Sequence, residues 1–144
     1  GRVDDEEFTL QIGTLSGNPV AAAAGLKTLE ILARPGAYDR IYRTGMAIME
    51  ALGDNLVAKG LNAQVVGHPA MFDSVFTDQP VQDYRAVFHA DKDRLKRFNA
   101  LLRAKGVLKS EGKFYISAAH DDDDVAQTVD AIKYAAKQLA AETA

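Results

Sequence analysis

Apolar residues in this chain recur at three- and four-residue steps over four stretches and alternate over shorter ones between them, the pattern of helices interleaved with short strands. The first helix is predicted over 21–32, with Leu26, Leu29 and Leu32 on one side. Asn18 is placed to cap it, Pro19 suits its first position, where a missing N–H costs nothing, and Pro35-Gly36 stops it. Tyr38, Ile41, Tyr42, Gly45, Ile48, Met49, Leu52 and Leu56 carry a second helix. Lys59 and Gly60 close it with a cationic last turn and a left-handed cap.

Strands are expected over 63–66 and 71–76, with Gly67-His68-Pro69 breaking regular structure between them. A third helix spans 91–105, with Leu95, Phe98, Leu101 and Leu102 facing inward and Gly106 at its end. Val107-Leu108 and 114–117 read as short strands around a polar tip, 109–112. Val125, Thr128, Val129, Ile132, Ala136 and Leu139 form the last and most regular helix. At the front of the chain, Phe8, Leu10 and Ile12 alternate weakly with polar residues, as a short strand or an extended approach, after a solvated acidic run from Asp4 to Glu7. Together these elements predict an α+β fold, a small sheet covered on one side by helices.

Composition narrows the class of function. The 144 residues are 47% hydrophobic and 26% charged, enough for one ordinary core. Twenty acidic residues against 17 basic ones give a net charge of −3, no field for nucleic acid. The chain has no Cys, which excludes disulfides and thiolate metal sites and fits the reducing cytoplasm. The longest apolar run, 20–26, is too short to span a bilayer. The chain opens Gly1-Arg2-Val3 without an initiator Met, as a piece of a longer protein does.

Candidate chemistry concentrates in two places. Gly13-Thr14-Leu15-Ser16-Gly17, directly ahead of a helix start, fits a plain turn and cap; it also fits an anion cradle built from backbone N–H groups, hydroxyls and the positive helix end. Spacing alone leaves both open. The acids Asp121, Asp122, Asp123 and Asp124 sit where carboxylates cap a helix, and they lack the spaced ligands and turn glycine of a calcium loop. His68, His89 and His120 have no zinc spacing. His120 suits a corner hydrogen bond or, in a second reading, a general base. No serine lies in a nucleophile elbow.

The stretch GTLSGNPVAAAAG, from Gly13 to Gly25, closely resembles class III pyridoxal-phosphate aminotransferases, in which a Gly-Thr pair precedes a Gly-Asn-Pro helix start. VGHPAMFDSVFTDQPV, from Val66, resembles the glutamate-1-semialdehyde aminomutase branch, and Gly106-Val107 with the serine-alanine-histidine entry from Ser117 agrees in order. The resemblance implies a fold-type I enzyme whose large domain holds pyridoxal 5'-phosphate and whose small C-terminal α+β domain closes over it. On that pattern 1–18 ends the large domain, 19–59 supplies connecting helices and 60–144 is the small domain.

The resemblance further implies that Thr14, with Gly13 allowing close approach, reaches the cofactor phosphate of the other subunit in a homodimer with a shared site. The lysine that carries the cofactor and the acid that faces its ring precede this loop in the family, and no lysine here lies in a matching context. The chain alone is therefore expected to be inactive, with the large domain missing. Between Leu108 and Phe114 the family's acidic loop looks shortened, so Glu111 does not inherit its role and aminomutase is not separated from aminotransferase. Lys113 precedes the strand where some class III enzymes place an arginine for the carboxylate of a small amino substrate. It could serve there as a point charge, or be a solvated strand-edge lysine. The rival to the enzyme reading is a noncatalytic α+β module that binds a protein partner.

Overall fold

The computed structural model describes residue 13 and residues 17–142. By internal contacts the chain divides into two compact units, the first ending at Ala37 and the second beginning at Tyr38. The acidic run and the weak alternation at the front of the chain lie outside the described residues.

In the first unit, helix α1 (Pro19–Leu32) begins where Asn18 and Pro19 predict, the Val20 and Ala21 N–H groups donating to Asn18 Oδ1 at 2.9 and 3.3 Å. It buries none of its residues, and Leu26 and Leu29 are 70% and 66% exposed.

All of α2 (Ala37–Leu52) but its first residue belongs to the second unit, and the helix runs on into a π-helical turn, Gly53–Val57. Together these cover the predicted second helix, and Gly60 follows at φ 69°. Strands β1 (Ala63–His68) and β2 (Met71–Phe76) then pair antiparallel. Regular structure does not break at Gly67-His68-Pro69 as expected: β1 continues through Gly67, which pairs with Phe72, and the chain turns only at Pro69-Ala70. At Gly67 a side chain would collide with the Met71 carbonyl and the Phe72 Cα, so the glycine allows the two strands to close tightly.

A four-residue helix α3 (Tyr84–Val87), too short to set a period, precedes α4 (Lys92–Ala104). Asp91 ties α4 to the sheet: its carboxylate accepts from the Arg94 N–H and its own N–H donates to the Phe76 carbonyl, each at 2.8 Å. Val107-Leu108 is not a strand. Gly106 turns the helix end at φ 82°, the Val107 N–H is drawn back to the Leu102 carbonyl at 3.0 Å, and Leu108 is left exposed. Strand β3 (Lys113–Tyr115) is shorter than the predicted 114–117 because Ser117 leaves the ladder for the turn into α5 (Asp122–Ala141).

The sheet order is β1-β2-β3, all antiparallel. Alternation along β2 puts Phe72, Ser74 and Phe76 on the face that meets the helices, where Phe72 stacks on Phe114 and Phe76 meets Phe98 edge-on. Leu52, Leu56, Leu102 and Ile132 complete the fully buried centre. No helix among the described residues is long and apolar enough to cross a membrane.

Candidate functional site

The sequence candidates fall in different units. In the first, Gly13 is exposed, whereas Thr14, Leu15 and Ser16 lie outside the described residues. Because Asn18 takes the Val20 and Ala21 N–H groups, an anion at this loop would depend on Gly13, the Thr14 hydroxyl and the positive end of α1 instead of those amides. A glycine backbone and a hydroxyl remain a suitable donor set for a phosphate.

In the second unit Lys113 opens β3 directly across from Asp73 of β2, on the face of the sheet away from the core. Its Nζ lies 4.0 Å from Asp73 Oδ2, an ion pair beyond hydrogen-bond reach, with the lysine side chain 46% exposed and the aspartate 13%. Asp73 Oδ1 is buried and has no hydrogen-bond partner among the described residues. Burial holds the Asp73 carboxyl above its ordinary value, opposed by the charges of Lys109 and Lys113 and by a hydrogen bond from the Ser74 backbone. Both residues line a cleft of ≈ 350 Å³ whose apolar wall includes Val75, Phe76, Val87 and Leu95.

The approach to Lys113 is fastened at several points. Lys109 Nζ donates to the carbonyls of Ser110, Glu111 and Gly112 at 3.1, 3.2 and 3.3 Å and sits 4.9 Å from the Phe114 ring centre. Burial lowers its ammonium from the ordinary value, against the pull of Asp73 and Glu111. Ser110 Oγ accepts from the Lys113 N–H at 2.9 Å and donates to the Lys113 carbonyl at 2.8 Å. Asn99 anchors the Glu111 carbonyl at 2.8 Å. This polar tip therefore presents Lys113 from a tied loop.

His120 sits at the entry to α5, where its Nδ1 accepts from the Ser117 N–H at 3.2 Å and its carbonyl accepts from Arg40 at 3.0 Å. The corner hydrogen bond expected of it is present. Asp73 and Lys109 were not among the sequence candidates. A charge inside the predicted 71–76 strand, next to Ser74, is the signal that could have singled out Asp73; Lys109, one polar residue in a polar tip, carried none.

Comparison with known proteins gives a consistent picture. No protein-family model matches the chain. It is 36% identical over 131 residues to glutamate-1-semialdehyde 2,1-aminomutase 2 of Brevibacillus brevis, a match that covers 89% of this chain and 30% of that protein. It superposes on an omega-transaminase from Sphaerobacter thermophilus with a TM-score of 0.76 at 24% identity, over 92% of this chain and 31% of the other. A transaminase with PLP bound matches with a TM-score of 0.73 at 23% identity, over 93% and 30%. The chain thus spans about 30% of the length of the proteins it resembles.

Proposed function

Because this chain has the sequence and fold of the C-terminal portion of the class III pyridoxal-phosphate-dependent aminotransferases, we propose that it works as part of such an enzyme, one that transfers or relocates an amino group on a small amino acid or amine. The observation that carries this reading is the extent of the match: 89% of the chain aligns with a named aminomutase, within 30% of that protein's length. In this reading 1–18 closes a large cofactor domain, 19–59 connects, and 60–144 is the small domain.

Pyridoxal 5'-phosphate, when bound, supplies the electron sink that amino-group chemistry needs. The work assigned to this chain is binding and orientation. Gly13 lets the backbone come close to the cofactor phosphate, and the Thr14 hydroxyl donates to it across a two-fold dimer interface. A shared site of this kind requires a symmetric homodimer. Lys113 holds the substrate carboxylate through a single ammonium, which attracts without the two-pronged geometry of an arginine.

The lysine that carries the cofactor belongs to the large domain, so the 144 residues alone do not transfer amino groups. An amino-transfer assay on the full-length protein that carries this chain, beside the isolated chain, tests this. Activity confined to the full-length protein supports the reading. A full-length protein that neither binds the cofactor nor transfers an amino group favours the noncatalytic module, whose partner surface would include the exposed Leu26 and Leu29 of α1.

A further inference from the structure

Strand β2 outruns its neighbour β3. Only Met71, Phe72 and Asp73 pair with β3, so the edge of β2 from Ser74 to Phe76 has no strand beside it on that side. Tyr84 and Val87 of α3 and Leu95 of α4 stand on one side of this open edge, and Glu111, Gly112 and Lys113 of the polar tip on the other. The space between them is the cleft of ≈ 350 Å³, within the range of about 300–1,000 Å³ typical of small-molecule sites.

The hydrogen-bonding groups at its floor belong to Ser74. This residue stands between Phe72 and Phe76 on the core face, where an apolar side chain would pack at no polar cost; it is fully buried, and its Oγ has no hydrogen-bond partner among the described residues. Its backbone adds a second group. The Ile116 N–H donates to the Ala70 carbonyl at 3.0 Å, and in an antiparallel ladder every second residue faces the same neighbour, so the Ser74 carbonyl faces the side that β3 leaves open. At Phe76, two residues on, the carbonyl is taken by the Asp91 N–H at 2.8 Å. The open edge is thus one residue long, too short for a peptide to add as a strand.

From this arrangement we propose that the cleft binds a small neutral molecule, with an aromatic or branched apolar body and one O–H or N–H donor. The donor meets Ser74, and the body lies against Val75, Val87 and Leu95. Charge selects against ions. Lys92 and Lys113 border the cleft together with Asp73, Asp91 and Glu111, so no field of one sign covers it to offset the water that an ionised ligand would lose against the apolar wall. Lys113 also borders a second cleft, of ≈ 230 Å³, beside Thr44 and His120, so a carboxylate held by its ammonium need not enter the cleft at Ser74.

The test is the binding of phenol to the full-length protein that carries this chain, followed by ligand-observed NMR, with benzoate and benzylamine as charged comparisons. Phenol should bind with a Kd of about 1 mM, and both ions roughly tenfold more weakly. Ser74→Ala, which keeps the cleft and removes the hydroxyl, should weaken phenol about fivefold. Val87→Trp should abolish binding by filling the cleft from α3 without touching the sheet, and Ala90→Trp, from the turn after α3, is the second blocking variant should the first fold poorly. A parent protein that does not bind phenol, or binding that both tryptophan variants leave unchanged, overturns the site. Equal binding by the parent and Ser74→Ala overturns the role of Ser74. Displacement of phenol by a saturating amino acid donor would give the cleft to the amino substrate and overturn the proposal of a neutral ligand.

Discussion

Gly45 of α2 lies so close to Pro69, at the turn between β1 and β2, that a methyl group on Gly45 would overlap the Pro69 carbonyl. Gly45 belongs to the spacing that predicted the second helix, and it is buried. The contact sets the distance between the helix and the hairpin, and Tyr42, three residues or about one turn earlier in the helix, meets His68 edge-on at 4.8 Å. Gly45→Ala is expected to destabilise the chain by about 1–3 kcal/mol, because backbone and not a flexible side chain must yield. Thermal unfolding of the variant checks it; an unchanged midpoint would mean that the helix and the turn move apart freely.

The last helix is held at its start by a reciprocal pair. The Asp124 N–H donates to Asp121 Oδ1 at 2.9 Å, and the Asp121 N–H donates to Asp124 Oδ2 at 3.1 Å. This is the role the acidic run was expected to play. Asp121→Ala should cost about 1 kcal/mol of stability, read from urea denaturation. Asp122→Ala and Asp123→Ala, which remove neither member of the pair, should cost less.

Asp73 makes stability depend on pH. The folded chain binds a proton there more tightly than the unfolded chain, because burial raises the carboxyl above its ordinary 3.8. That contribution is complete below the ordinary value and is lost as pH rises through the raised folded value. Asp73→Asn should therefore gain stability relative to the parent chain as pH rises from about 4 toward neutrality, most of it just above the ordinary carboxyl range. Melting midpoints of both proteins over that range measure the difference; parallel curves would show that Lys109 and Lys113 fully offset the burial.

Much of this architecture is legible in the residues. Asn18-Pro19 and Asp91 announce helix starts by capping chemistry, and the 71–76 strand and the last helix follow from periodicity. Boundaries set by tertiary contacts are less so. The extension of β1 to His68 depends on pairing with Met71, and the loss of a strand at Val107 depends on how Gly106 turns the helix end. For the site, the residues flag the Gly13 loop but leave it open between a plain turn and an anion cradle, and Lys113 can be singled out only through likeness to a family, since a strand-edge lysine has no pattern of its own. The Asp73–Lys113 pair is a cross-strand relation 40 positions apart in sequence, set by a register that periodicity along either strand does not contain.

The most direct measurement is the absorbance of the full-length protein that carries this chain, after incubation with pyridoxal phosphate and dialysis, for the parent and for Thr14→Ala. The expected result is a cofactor band that survives dialysis in the parent and is largely lost from the variant, since the hydroxyl contributes a charge-assisted hydrogen bond to a phosphate. A parent protein that retains no cofactor would contradict the enzyme reading, and a variant that retains it as well as the parent would remove Thr14 from the phosphate site.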